Sequence, residues 1–96
     1  MNTVIRFMNE NDIPLVVKYD RQILGQSLGE ETYKNELEQN PFSYYFVMEN
    51  PDNKAFLGHV GIWIDTPLGQ ILNIYIIPEM QMIGLGSKLM NFVIDF

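Results

Sequence analysis

The chain has 96 residues, a formal charge of −6, and 47% hydrophobic against 19% charged residues. That balance excludes a disordered chain and a coiled coil, and an acidic surface without clustered Lys and Arg excludes binding nucleic acid through its phosphates. With no cysteine, a disulfide framework, a thiolate nucleophile and a cysteine-held metal are excluded as well.

One domain over residues 1–96 is expected, with a single core. No apolar run approaches membrane-spanning length, and Met1-Asn2-Thr3-Val4-Ile5-Arg6 is not a signal peptide. A cytoplasmic protein without membrane contact is the expectation.

Thr3 to Met8, carrying Val4, Ile5 and Phe7, reads as a first strand. Asn9 to Asp12 offers N-cap residues for a helix running to about Leu24, with Pro14 tolerated in its first turn and Ile13, Val16, Val17, Tyr19, Ile23 and Leu24 on its apolar face. Gly25 to Gly29 is a loop. A second helix runs from about Glu30 to Gln39; Ser27 and Glu30 also fit a capping box. Asn40-Pro41 ends it. Phe42 to Glu49 and Phe56 to Asp65 read as a hairpin around a turn at Asn50 to Asn53, and Thr66 to Gly69 reads as another turn.

Ile71 to Ile77 is almost wholly apolar and rich in β-branched side chains, the pattern of a strand covered on both faces, and Pro78 ends it. From Gly84 onward Leu85, Leu89, Phe92, Val93 and Phe96 fall on one helical stripe. The order β-α-α-β-β-β-α implies an α+β fold: a mainly antiparallel sheet of four strands carrying helices.

Glycines in the first turn of a helix let a ligand approach the backbone, and the first N–H groups of a helix have no internal partner, so an anion such as phosphate fits there. Close helix packing is the other use of such glycines. A dinucleotide fingerprint from Gly84 would need a third glycine where Leu89 stands, and a Walker A loop would need Gly-Lys-Ser/Thr where Leu89-Met90-Asn91 stand.

What remains is Gln81-x-x-Gly84-x-Gly86 directly after an apolar strand. This resembles the acetyl-CoA pyrophosphate loop of the GNAT N-acetyltransferases. The likeness covers the whole chain: Leu72 to Glu79 is similar to that family's central strand and turn, while Ile5-Arg6-Phe7 to Pro14 and Glu30 to Pro41 are similar to its RimI-type branch, the ribosomal-protein-alanine N-acetyltransferases. The resemblance implies the N-terminal part of a GNAT fold and an acyltransferase moving acetyl from acetyl-CoA to a primary amine, such as a protein N-terminus.

It further implies that the backbone of Ile74, Tyr75 and Ile76 pairs with the pantetheine arm, and that Gln81, Met82, Ile83, Gly84, Leu85, Gly86 and Ser87 form the diphosphate loop. Where the family usually has a basic residue beside the glycines, Met82 and Ile83 are neutral, and only Lys88 is near. The family's general acid and base are expected beyond residue 96, so the catalytic residues stay unassigned and a truncated or partial domain is expected. A CoA-binding or dimerising half-domain is the rival reading, with a homodimer pairing through the open edge of strand 71–77.

His59 is of a type that serves as general base, but mid-strand it reads as a half-exposed strand residue without neighbouring metal ligands. Glu30, Glu31, Glu36 and Glu38 read as a solvated helix face, and Tyr33, Tyr44, Tyr45 and Phe46 as core. Asn73, polar in an apolar strand, needs a hydrogen-bond partner from either the protein or a substrate.

Overall fold

A computed structural model describes residues 2–65, 67–81 and 83–96. Strand β1 (Val4–Phe7) leads through a 3-10 turn (Glu10–Asp12) into helices α1 (Ile13–Leu24) and α2 (Glu30–Gln39). Strands β2 (Ser43–Glu49), β3 (Phe56–Asp65) and β4 (Leu68–Ile76) follow, then a 3-10 turn (Pro78–Met80) and α3 (Leu85–Asp95). The four strands pair antiparallel in the order β1-β2-β3-β4, which is the α+β arrangement expected from the sequence.

Local chemistry sets the helix limits. The Asn9 N–H donates to Asp12 and the Asn11 N–H donates to the Asn9 side chain, so the chain is turned before Pro14 enters the first turn of α1. Gly25, at φ 82°, ends α1 in the left-handed region that glycine adopts without strain. The Ser27–Glu30 capping box does not form: Gly29 is the residue before α2, and the Ser27 hydroxyl instead donates to Asp20 while accepting from the Gly29 N–H.

Alternation along the strands divides the side chains between two layers. Phe46, Met48, Val60, Ile62 and Ile76 pack with Leu85 and Leu89 of α3. Val47 and Tyr45 pack on the opposite face with Ile13, Val16 and Val17 of α1 and Tyr33 of α2. Arg6 braces the start of the fold, its guanidinium donating to both oxygens of Asp12 and to both oxygens of Glu49. Burial pushes the Asp12 carboxyl up, but the Arg6 bonds, the Asn9 N–H and the Arg6 charge together outweigh it and hold Asp12 below the usual range.

Two expectations about the last strand need correction. Leu68 and Gly69 belong to β4, opposite Asp65 and Ile64, rather than to a turn over 66–69; Thr66 lies outside the described residues. An antiparallel pair can close with two residues, so the ladder continues further than the turn-forming residues suggest. Nor is β4 covered on both faces: Leu68 is 75% exposed, and Ile71 and Leu72 are also exposed, because β4 is an edge strand whose burial begins only near Asn73. Among the described residues no helix is long and apolar enough to cross a membrane.

The β3–β4 contact makes a stability prediction. A Cβ at Gly58 would lie 2.7 Å from the Tyr75 carbonyl oxygen, whereas one at Gly69 would meet nothing within 4 Å. Gly58→Ala is therefore expected to cost about 1–3 kcal/mol in urea unfolding, and Gly69→Ala to change stability by less than about 0.5 kcal/mol. Equal stabilities for the two variants would contradict this close approach.

Candidate functional site

The sequence places glycines where β4 hands over to α3, and the backbone there is open. Gly84 caps α3 at φ 85° and ψ 2°, a conformation that strains any residue with a Cβ. The first bond inside the helix runs from the Lys88 N–H to the Gly84 carbonyl, 3.2 Å, so the amides of Leu85, Gly86 and Ser87 precede the ladder. No side chain among the described residues caps them. A Cβ built at Gly84 or Gly86 meets nothing within 4 Å, so these glycines do not serve close helix packing.

Leu85 and Leu89, both buried, fix this helix start against the sheet. Ile83 is exposed, and Lys88 reaches Thr3 Oγ1 at 2.9 Å. Met82, expected to contribute to the same loop, lies outside the described residues.

The edge of β4 leads directly into this amide cradle. The Ile77 N–H donates to the Leu57 carbonyl, and His59 stands opposite Tyr75, so alternation turns the backbone groups of Tyr75 toward β3 and those of Ile74 and Ile76 away from it. Of the three strand residues expected to pair with a ligand, two present their backbone to the open edge. The Gln81 side-chain amide donates to the outward Ile76 carbonyl at 3.0 Å, holding the loop against the strand end. Upstream, the register shifts so that Gly61 faces Asn73 and Ile62 faces Ile71, leaving Leu72 as the additional residue of a bulge.

Behind that edge, on the α1/α2 face, lies a cluster that sequence reasoning missed. Asp20, 1% exposed, accepts from the hydroxyls of Tyr33, Tyr75 at 2.7 Å and Ser27 at 2.9 Å. Burial, then the bond to Asp20, pushes both tyrosine hydroxyls well above their ordinary range. The signal was in the spacing: Asp20 follows Val16 and Val17 at i+4 and i+3, on the same stripe. Glu36 also departs from its expected role as a solvated helix residue. Its carboxylate accepts from Asn40, Ser43 and Tyr45 at 2.8–3.1 Å, because it faces the start of β2 rather than solvent.

His59 is not half-exposed as expected; it is fully buried, because the α1/α2 layer covers that face of β3. Neither ring nitrogen has a hydrogen-bond partner in the described structure, and Nδ1 lies 3.9 Å from Asp20, beyond hydrogen-bond reach. Burial lowers its pKa to about 4 against the opposing pull of Asp20, so at neutral pH the imidazole is uncharged and this approach is not an ion pair. A cavity of about 920 Å³ opens beside the cluster, between the α1–α2 loop and β4, with Asp20, Ser27, Glu36, Tyr45, Asn73 and Ile74 among its lining.

A free-edged strand running into a glycine-opened helix start is the feature of this fold that the comparisons bear on. The chain belongs to the acetyltransferase (GNAT) family, whose model matches residues 13–96. It is 31% identical over 91 residues to a Bacillus subtilis (strain 168) protein described as a ribosomal protein bS18-alanine N-acetyltransferase, covering 95% of this chain and 59% of that relative. The Escherichia coli ribosomal-protein-S18-alanine N-acetyltransferase shares the fold at a TM-score of 0.79 and 19% identity, over 98% of this chain and 58% of that one. A Clostridium acetobutylicum acetyltransferase crystallised with acetyl-CoA does so at 0.74 and 19%, over 98% and 72%. The chain thus spans about three-fifths of the length of the curated relative that it matches.

The buried histidine carries a pH prediction. Its value of about 4 in the folded chain lies below the ordinary 6.5, so between these limits the unfolded chain binds more protons. The stability contributed by the neutral ring is complete above pH 6.5 and is lost as pH falls toward 4. Urea unfolding across this window should show a loss of up to about 1.4 kcal/mol per pH unit from this single proton. His59→Gln should flatten that component; an acid limb unchanged in the variant would contradict the assignment.

Proposed function

We propose that this chain holds acetyl-CoA along the open edge of β4 and the start of α3, and serves an N-acetyltransferase that delivers acetyl to a primary amine. A protein N-terminus is the favoured acceptor, in keeping with the ribosomal-protein alanine named for the Bacillus and Escherichia relatives. The observation that carries the reading is the helix start with amides uncapped by side chains and open space at the Cβ positions of Gly84 and Gly86, following the outward backbone of Ile74 and Ile76.

In this reading the amides from Ile83 to Ser87 face the diphosphate, where the helix dipole adds to their hydrogen bonds. The backbone of Ile74 and Ile76 pairs with the amide-bearing pantetheine arm as a strand would, while Tyr75 anchors the strand from behind and Gln81 fixes the loop. The amine lone pair attacks the thioester carbonyl, the C–N bond forms as the C–S bond breaks, and the departing thiolate takes a proton. The chain's contribution is alignment of the reacting groups and an outward strand N–H for the oxyanion. Tyr33, Tyr45 and Tyr75 give their hydroxyl hydrogens to carboxylates and are not the proton source for the thiolate.

A second reading, a non-catalytic CoA-binding or dimerising unit, is favoured by the exposed apolar residues Leu68, Ile71 and Leu72 on the free edge. A sedimentation-defined dimer that binds CoA but releases no thiol in the presence of amines would select it.

Calorimetry with CoA tests the cofactor site. Gly86→Glu should fold normally, because a Cβ at Gly86 meets open space and an acidic residue suits a helix start. Its carboxylate would repel the diphosphate, and affinity should fall at least about tenfold, or 1.4 kcal/mol. Unchanged affinity in this variant, or no binding by the parent chain, would overturn the proposal.

A further inference from the structure

We infer that Asp20 is a positioning residue for the open edge of β4, acting through the Tyr75 hydroxyl, and that its hold serves the amide-bearing arm of the ligand rather than the diphosphate. The inference rests on the proposed function and deepens it, because it assigns the two halves of one ligand to two parts of the chain held from opposite faces of the sheet.

An edge strand has a ladder on one side only, so the rest of its hold comes from its faces. Past the bulge, two side chains of β4 stand in the rows that face α1 and α2: Asn73, in line with Gly61 and Tyr45, and Tyr75, in line with His59 and Val47. Asn73 Oδ1 has no hydrogen-bond partner among the described residues, whereas the Tyr75 hydroxyl donates to Asp20 Oδ1 at 2.7 Å. The Val16 carbonyl, one turn earlier on α1, is the longer alternative for that hydrogen at 3.4 Å. Among the described residues Tyr75 is thus the polar tie from this half of the strand to the helical layer.

Asp20 is placed to hold that tie still. Its Oδ2 accepts from Tyr33 and Ser27, which belong to α2 and the loop before it, while its Oδ1 accepts from Tyr75 of β4. With Oδ2 fastened, Oδ1 has a set place and the strand comes to it. Asp20 is 1% exposed and Tyr75 6%, and a hydroxyl-to-carboxylate bond that water does not reach is among the stronger of its kind. His59 Nδ1 lies 3.9 Å from the same oxygen, out of hydrogen-bond reach, so Tyr75 holds Oδ1 uncontested.

The backbone of Tyr75 turns toward β3, so a shift of this residue moves the outward groups of Ile74 and Ile76 on either side of it. Those are the groups that meet the arm. The start of α3 is seated instead by Leu85 and Leu89, packed in the core on the other face of the sheet. Loosening Tyr75 therefore weakens the grip on the arm and spares the diphosphate. A role in folding alone would weaken both.

The test compares CoA with 3′-phospho-ADP, which is CoA without its pantetheine arm, on the 96-residue chain. It adds two variants that each lose one hydroxyl bonded to a carboxylate in this layer, Tyr75→Phe and Tyr45→Phe. Calorimetry is expected to show CoA affinity lowered at least about fivefold in Tyr75→Phe with the nucleotide held within about twofold, and both ligands within about twofold in Tyr45→Phe. In the parent chain, nuclear magnetic resonance is expected to show CoA moving the Tyr75 ring resonances and the nucleotide leaving them in place, a measurement that needs no variant to fold. CoA affinity unchanged in Tyr75→Phe, equal loss of both ligands in that variant when folded, or ring shifts as large with the nucleotide as with CoA would overturn the inference and leave the proposed function standing. No binding of either ligand by the parent chain would overturn both.

Discussion

The carboxylate of Asp20 is the constraint on which the α1/α2 side of the molecule depends. It lies on α1 and accepts from Tyr33 of α2, Ser27 of the intervening loop and Tyr75 of β4, so one side chain ties the α1–α2 hairpin to a strand remote in sequence. A buried carboxylate is stable only when its lone pairs are occupied, and each hydroxyl here is also more favourable bonded than buried alone. The arrangement is directional: sliding α1 along the sheet would break the 2.7 Å bond from Tyr75 to Asp20. Hydrophobic packing presses the layer onto the sheet, and Asp20 decides its register.

That register reaches the open sheet edge through β4 itself. Tyr75 faces Asp20 with its side chain and β3 with its backbone, which leaves the neighbouring backbone groups of Ile74 and Ile76 pointing the other way. Ile76 packs against Leu85 and Leu89, so the same strand also seats the start of α3. The outward strand amides and the glycine-opened helix start therefore belong to one rigid arrangement, with the buried cluster on one side and the α3 core on the other.

Most of the fold was legible because its signals are local. Strand and helix periodicities, Pro14, Gly25 and Asn40-Pro41 located the elements, and Gly84 and Gly86 after an apolar strand located the helix start. The polar interior was not legible, since a pattern of apolar stripes assigns acidic residues to solvent. Asp20 and Glu36 are exceptions because the chain that follows each folds back to bring hydroxyl and amide donors onto it, and for Asp20 one more comes from β4. His59 was misplaced for a related reason: alternation assigns it to a face but not the depth of what covers that face. The exposed first half of β4 was hidden by its own composition, as apolar residues on an edge look like apolar residues in a core.

The bond from Gln81 to the Ile76 carbonyl has a consequence for how much of the edge an added strand could pair with. It occupies an outward acceptor at the end of the strand, and the bulge at Leu72 breaks the repeat at the other. Between these stops only a couple of peptide units lie in regular phase, too few for a stable intruding strand. The edge of β4 therefore offers a fibril-forming strand no continuous template along its whole length.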